Sequence, residues 1–190
     1  MLVTKFGGTS VGDAQRIAHV ADLIVATRRE RPEMVVVVSA MAGVTNALFA
    51  LARTAAAGDA TAVARHLDAL RIRHLETAEA LLQGGAELGP VQEAITAQVG
   101  ELERICRSVA ILGEATVRTL DLVAGAGERL SSRLLAAALR ARDCASEAVS
   151  ATELIVTDAR FGNAEPDLEA SKPRIRARIG ALLEIGRAHV

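Results

Sequence analysis

Five apolar residues, Met34–Val38, follow Pro32 and Glu33 and lead into a loop of small residues, Ser39-Ala40-Met41-Ala42-Gly43. Four of the five are valines, which suit a pleated and buried surface. An apolar run of this length without alternation is the pattern of a parallel strand covered on both faces. Helical periodicity lies on either side of it. Over 13–29, Ile17, Val20, Ala21, Ile24 and Val25 recur at helical spacing, and Arg28-Arg29 fall where a helix C-terminus favours cations. A second helix is expected over about 44–57, and residues 1–5 read as a short buried strand. Strand, helix, strand, helix with short loops specifies the right-handed βαβ start of an α/β sheet.

Residues 59–113 are rich in Ala, Leu, Glu and Arg and lack any β-branched run. Gly84-Gly85 and Gly89-Pro90 divide them into two long helices, a helical hairpin inserted into the sheet or packed beside it. Residues 116–142 are helical again, with an interruption expected at Gly125-Ala126-Gly127-Glu128. Weak strand signals follow at 145–149 and 154–156, then a polar loop from Asp158 to Asp167. A last helix is expected over 172–183, with Pro173 tolerated in its first turn. No strand is expected after it. Residues 184–190 (Glu-Ile-Gly-Arg-Ala-His-Val) match the translation of a common sequencing-adapter read-through. Residues 1–183 are therefore expected to be the N-terminal part of a longer domain, truncated at its C-terminus, with 184–190 an artefactual tail that adds nothing to packing.

Composition removes several classes of function. Aromatic residues make up only 2 % of the chain, with no Trp or Tyr, and the net charge is −1. Neither a base-stacking platform nor a basic surface for nucleic acid is present. No stretch reaches the ~18 apolar residues of a membrane span, and the N-terminus lacks the basic region and cleavage site of a secretion signal. A cytoplasmic protein is expected. Cys106 and Cys144 match no metal or redox spacing and are expected to be reduced thiols. His19, His66, His74 and His189 are scattered and pair with no nucleophile. The acids of the 158–167 loop fit no calcium-loop spacing, so no protein metal site is expected.

The chemistry points instead to the first turn of the chain. Nearly every basic position is arginine; Lys5 and Lys172 are the only lysines. A lysine kept at Lys5 suits a compact, mobile ammonium better than a guanidinium fork. It leaves the C-terminal end of a strand, where open α/β sheets bind ligands. Phe6, Gly7, Gly8 and Thr9 follow, and two adjacent glycines let backbone N–H groups approach phosphate oxygens. The lysine precedes the glycines, so this is not a Walker A loop; a glycine turn with an incidental lysine is the plain alternative. Ser39 and Thr45 flank the loop after the valine strand, where they suit either a ligand carboxylate or helix capping. Glu128 follows two glycines and is either a ligand acid or a solvated helix residue.

The stretch KFGGTSVGDAQRI resembles the N-terminal signature of the aspartate kinases, within the amino-acid kinase family. VVVVSAMAGVTNAL (35–48), GERLSSRLLAAALR (127–140) and TDARFGNAEPD (157–167) resemble three further motifs of that family, in the same order. The resemblance implies a three-layer α/β/α fold with a mainly parallel sheet and a helical-hairpin insertion. It implies transfer of the ATP γ-phosphoryl group to the side-chain carboxylate of L-aspartate. By position, Lys5 corresponds to the lysine that contacts the nucleotide phosphates and stabilises the transition state, and Gly7 and Gly8 to the phosphate-approach glycines. Ser39 and Thr45 correspond to hydroxyls near aspartate, and Glu128 to the acid that receives the substrate α-ammonium. Mg²⁺ would arrive with ATP. The family's later glycine-rich signature, with its arginine and serine–aspartate pair, does not occur here, so this chain alone is expected to be inactive and the full-length enzyme to be a homo-oligomer. A bifunctional aspartokinase–homoserine dehydrogenase is the alternative parent, and a non-catalytic amino-acid-binding or regulatory fragment the alternative of another class.

Overall fold

The computed structural model describes residues 1–184 and the backbone of 188–189. Strand β1 (Leu2–Phe6) leads into helix α1 (Ala14–Glu30), β2 (Met34–Val38) into α2 (Val44–Ala56). The helical hairpin is α3 (Ala60–Leu82) and α4 (Leu88–Leu112), followed by α5 (Val117–Arg140). Then come β3 (Ser146–Glu147), a single turn α6 (Ala151–Leu154), and a two-stranded antiparallel ribbon of β4 (Val156–Thr157) and β5 (Pro166–Asp167). A helical run closes this part: α7 (Leu168–Ile175), a π-helical turn (Arg176–Gly180) and α8 (Ala181–Glu184).

The main sheet is parallel throughout, in the order β1-β2-β6-β3, where β6 is Ala188–His189. The expectation that no strand follows the last helix is therefore corrected: two residues of the segment expected to be a foreign tail pair between β2 and β3. Residues 185–187 and 190 of that segment lie outside the described residues.

Strands β1 and β2 pair in register over five residues, with Lys5 beside Val37 and Phe6 beside Val38. Alternation along a strand then sorts the side chains. Leu2, Phe6, Met34, Val36 and Val38 join the hydrophobic core. On the opposite face Val3 and Val37 are 57 % and 47 % exposed. The unbroken valine run promised a strand covered on both faces; among the described residues β2 is fully covered on one. Periodicity cannot report this, because a valine reads the same on either face.

The core is aliphatic. Helix α5 runs through it, with Leu130, Leu134, Leu135 and Leu139 at most 1 % exposed, and packs against α1, α2 and α4. The interruption expected at Gly125–Glu128 does not occur; α5 is continuous. Two interior glycines cost a helix about 1 kcal/mol each, but burial of one whole face of α5 outweighs this. Pro90 sits in the first turn of α4, where a missing N–H is harmless. The last helix starts earlier than expected. Asp167 caps it, its carboxylate accepting from Ala170 N at 2.9 Å, and Pro173 falls in its second turn rather than its first. A proline there leaves one carbonyl without its helical donor, and the ladder widens into the π-helical turn three residues later.

Candidate active site

The β1–α1 and β2–α2 loops lie side by side at the C-terminal ends of two adjacent parallel strands, where α/β sheets place ligands. Lys5 is the last residue but one of β1. Its side chain lies on the open sheet face, exposed, and makes no hydrogen bond or ion pair among the described residues. Phe6 turns the other way, against the core, and its carbonyl accepts from Ser39 N at 3.1 Å. Gly7 O accepts from Ser10 N at 2.9 Å, closing the glycine turn. Thr9 is exposed, and its carbonyl accepts from the Arg16 side chain at 2.6 Å; Arg16 in turn pairs with Asp13, the N-cap of α1.

Gly8 is where the two loops touch. A Cβ there would stand 2.9 Å from the Ala40 carbonyl oxygen, so any side chain would push the loops apart. Ala40 N–H donates to Glu128 Oε1 at 3.4 Å, and Ser131 Oγ donates to Ser39 O at 2.7 Å. Glu128 and Ser131 stand one turn apart on α5, so the helix holds the β2–α2 loop at both residues. Ser39 and Glu128 are half-buried. Neither Ser39 nor Thr45 caps α2: the N-cap is Gly43, at φ 79°, and among the described residues no side chain bonds the N–H groups of the first turn. Helix capping is thus not what keeps hydroxyls at these two positions.

The structure therefore brings the expected residues to one end of the sheet. Lys5, Gly7 and Gly8 belong to one loop, Ser39 and Thr45 to the next, and Glu128 to the helix beside them. A cavity of about 360 Å³ opens along β2 and is lined by Val35–Val38, Glu128, Arg129, Ser132 and residues 149–152. Lys5 does not line it. Arg129 is directed towards α4, its Nε donating to Gln98 Oε1 at 3.0 Å, and Arg133 shares the same oxygen at 3.3 Å. Burial lowers the Arg133 pKa from its ordinary value, and the neighbouring Arg129 charge adds to the effect. No cluster of three His, Cys, Asp or Glu side chains suited to a metal occurs among the described residues. Cys106 and Cys144 are free and buried, and burial pushes the Cys106 thiol up to about 11.

The sequence profile of the amino acid kinase family matches residues 1–183.

The chain belongs to the amino acid kinase family.

Among its relatives are two plant enzymes. Over 174 residues the chain is 33 % identical to the chloroplastic bifunctional aspartokinase/homoserine dehydrogenase 1 of Zea mays, covering 91 % of this chain and 18 % of that protein. Over 180 residues it is 35 % identical to the chloroplastic aspartokinase 3 of Arabidopsis thaliana, covering 93 % and 30 %. It also superposes on Escherichia coli aspartokinase III, at 28 % identity over 98 % of this chain and 39 % of that one. The TM-score is 0.85 for the complex with lysine and aspartate and 0.83 for the complex with aspartate and ADP. The chain spans about a third or less of the length of these curated relatives.

Two residues of this amino acid kinase chain, Gly127 and Arg73, gave no sign of their contacts in the sequence, and a third, Ser131, read only as structural. Ser131 lies inside the GERLSS motif, but nothing local says that its hydroxyl reaches Ser39. Gly127 read as a helix breaker, whereas it is a contact surface: a Cβ there would meet Ala40 Cβ at 2.7 Å and Val44 Cγ1 at 3.2 Å. Arg73, one of many arginines in the helical hairpin, gave no signal at all, yet its side chain reaches both loops. No helix among the described residues is long and apolar enough to cross a membrane.

Proposed function

We propose that the chain carries the phosphate-binding and ammonium-binding side of an aspartate kinase. A carboxylate oxygen of L-aspartate attacks the ATP γ-phosphorus, the bond to the β-phosphate oxygen breaks, and the products are 4-phospho-L-aspartate and ADP. A carboxylate is already a nucleophile and needs no general base, so the work is positioning and charge neutralisation. Lys5, unpaired at the strand end, faces the developing phosphoryl charge. Gly7 and Gly8 let backbone amides come close to the phosphate oxygens, with Phe6 and Thr9 setting the ends of that turn. Glu128 receives the α-ammonium, and Ser39 and Thr45 lie on the substrate side of the β2–α2 loop. Mg²⁺, brought with ATP, would neutralise phosphate charge.

The observation that carries this reading is the meeting of the two loops at Gly8 and Ala40, with Glu128 bonded to the amide of the same Ala40. A phosphate-side loop and an ammonium-side acid thus share one residue between them. Escherichia coli aspartokinase III, whose structures hold aspartate and ADP, supports the same substrates. The reaction would open the synthesis of amino acids derived from aspartate, among them lysine and threonine, in a cytoplasmic homo-oligomer. The whole protein that carries this sequence should form a hydroxamate from aspartate, ATP and hydroxylamine. Glutamate or acetate serving as the better acceptor would overturn the substrate, and ligand binding without any turnover would favour a regulatory fragment. The similarity to a bifunctional plant enzyme supports a second reading, the kinase end of an aspartokinase–homoserine dehydrogenase; homoserine-dependent reduction of a nicotinamide cofactor by the whole protein decides it.

A further inference from the structure

Arg73 lies in α3, within the helical hairpin. A single nitrogen of its guanidinium, Nη2, donates to two backbone carbonyls: Ala42 O at 2.9 Å and Gly12 O at 3.2 Å. Gly12 ends the glycine loop that follows β1. Ala42 precedes Gly43, whose positive φ of 79° turns the chain into α2. The same two residues are close neighbours: a Cβ built on Gly12 would lie 3.4 Å from Ala42 Cβ. Arg73 makes no ion pair among the described residues, so its charge is directed at the carbonyls rather than at a carboxylate. Hydrogen bonds from a cation are shorter and stronger than neutral ones.

We propose that Arg73 is a positioning residue that sets the spacing between the phosphate loop and the substrate loop. The inference rests on the function proposed above. Each loop would hold one substrate, so their separation decides whether the attacking carboxylate and the γ-phosphorus meet in line. In-line transfer requires reacting atoms about 3–3.5 Å apart, and a displacement of about 1 Å can cost 10²-fold in rate. The helical hairpin then acts in the reaction: α3 supplies a side chain that bridges both loops. Because the bonds of Arg73 go to loop carbonyls, its loss should leave the binding of each substrate alone nearly intact and lower the rate of transfer between them.

The test compares Arg73→Met with Arg73→Lys in the protein bearing this sequence. Methionine keeps much of the apolar stem and removes the donors; lysine restores a cation that can donate to two carbonyls. Arg73→Met should lower kcat by about 10-fold or more, with the KM values for aspartate and ATP each changed by less than about 3-fold, and Arg73→Lys should recover most of the loss. In parallel, backbone amide exchange should speed up at residues 7–12 and 40–43 in Arg73→Met, with α3 exchanging at the wild-type rate. Unchanged exchange in both loops overturns the proposal, as does a loss of KM and kcat together that lysine does not restore. If the wild-type protein phosphorylates no aspartate, the functional reading fails by itself, and loop exchange alone decides whether Arg73 holds the loops.

Discussion

The Cβ of Ala40 leaves no room for a side chain at position 127: a Cβ built on Gly127 falls 2.7 Å from it. Helix α5 thus touches the β2–α2 loop backbone-close, and that closeness puts the carboxylate of the next residue, Glu128, within reach of Ala40 N–H.

Gly127→Ala should destabilise the protein although alanine is the better helix former. Propensity favours the change by about 1 kcal/mol, while forcing a methyl group into a packed contact costs about 1–3 kcal/mol. Gly125→Ala is the control. Its Cβ would meet only the mobile end of Arg129, at 3.3 Å, so the propensity gain should survive. Urea unfolding of the two variants should move in opposite directions; equal midpoints would mean that α5 can shift away from Ala40 at no cost.

Lys5→Arg should lower kcat by about 10²-fold, as loss of one positioned charge contact to a transition state does. Thermal stability should stay at the wild-type value, because Lys5 is exposed and bonded to nothing among the described residues. Near-normal turnover would make Lys5 an incidental residue of a glycine turn.

Glu128→Ala should weaken aspartate binding more than ATP binding. A hydrogen bond to a charged group contributes about 1.5–3 kcal/mol, roughly 10- to 150-fold in affinity. Calorimetric titration with each ligand separates the two effects, and equal losses would remove Glu128 from the ammonium site.

His74 should make stability fall with acid. It is wholly buried, its Nδ1–H donates to Leu70 O at 2.7 Å, and Nε2 has no partner among the described residues. Burial lowers its pKa from the ordinary 6.5, and the nearby Arg73 charge pushes the same way. The unfolded chain therefore binds this proton more readily than the folded one. The stabilisation is complete above pH 6.5 and is lost as pH falls from there towards the folded-state value. Unfolding free energies at pH 7.5 and 5.5 should differ more in the wild type than in His74→Leu. An identical pH slope in both would show that His74 does not contribute to it.

Local pattern carried the opening of the fold, from β1 to α2. The valine run, the helical spacing from Ile17 to Val25 and the glycine turn after Lys5 each report hydrogen bonding and burial within a few residues, and β1, α1, β2 and α2 formed where those signals placed them. The two loops of the candidate site were legible for the same reason, since each directly follows its strand. Amino acid kinase membership was also readable, from four motifs in order. The weak strands after α5 were less legible: 145–149 shortened to two residues, the signal at 154–156 met β4 only at Val156, and β5 at the end of the polar loop was missed, because two-residue strands bury too little to leave a periodic trace.

What the sequence by itself determined is which residues stand at the strand ends and carry the chemistry. Only the tertiary structure decided how they meet. Glu128 lies 88 positions from Ala40, and Arg73 lies 61 from Gly12 and 31 from Ala42. No local periodicity encodes such contacts. A glycine that permits close approach looks in sequence like one that breaks a helix, and an arginine that bonds two carbonyls looks like one in water. The difference lies in the packing of α3 and α5 against the two loops, and that packing is set by burial of the whole aliphatic core.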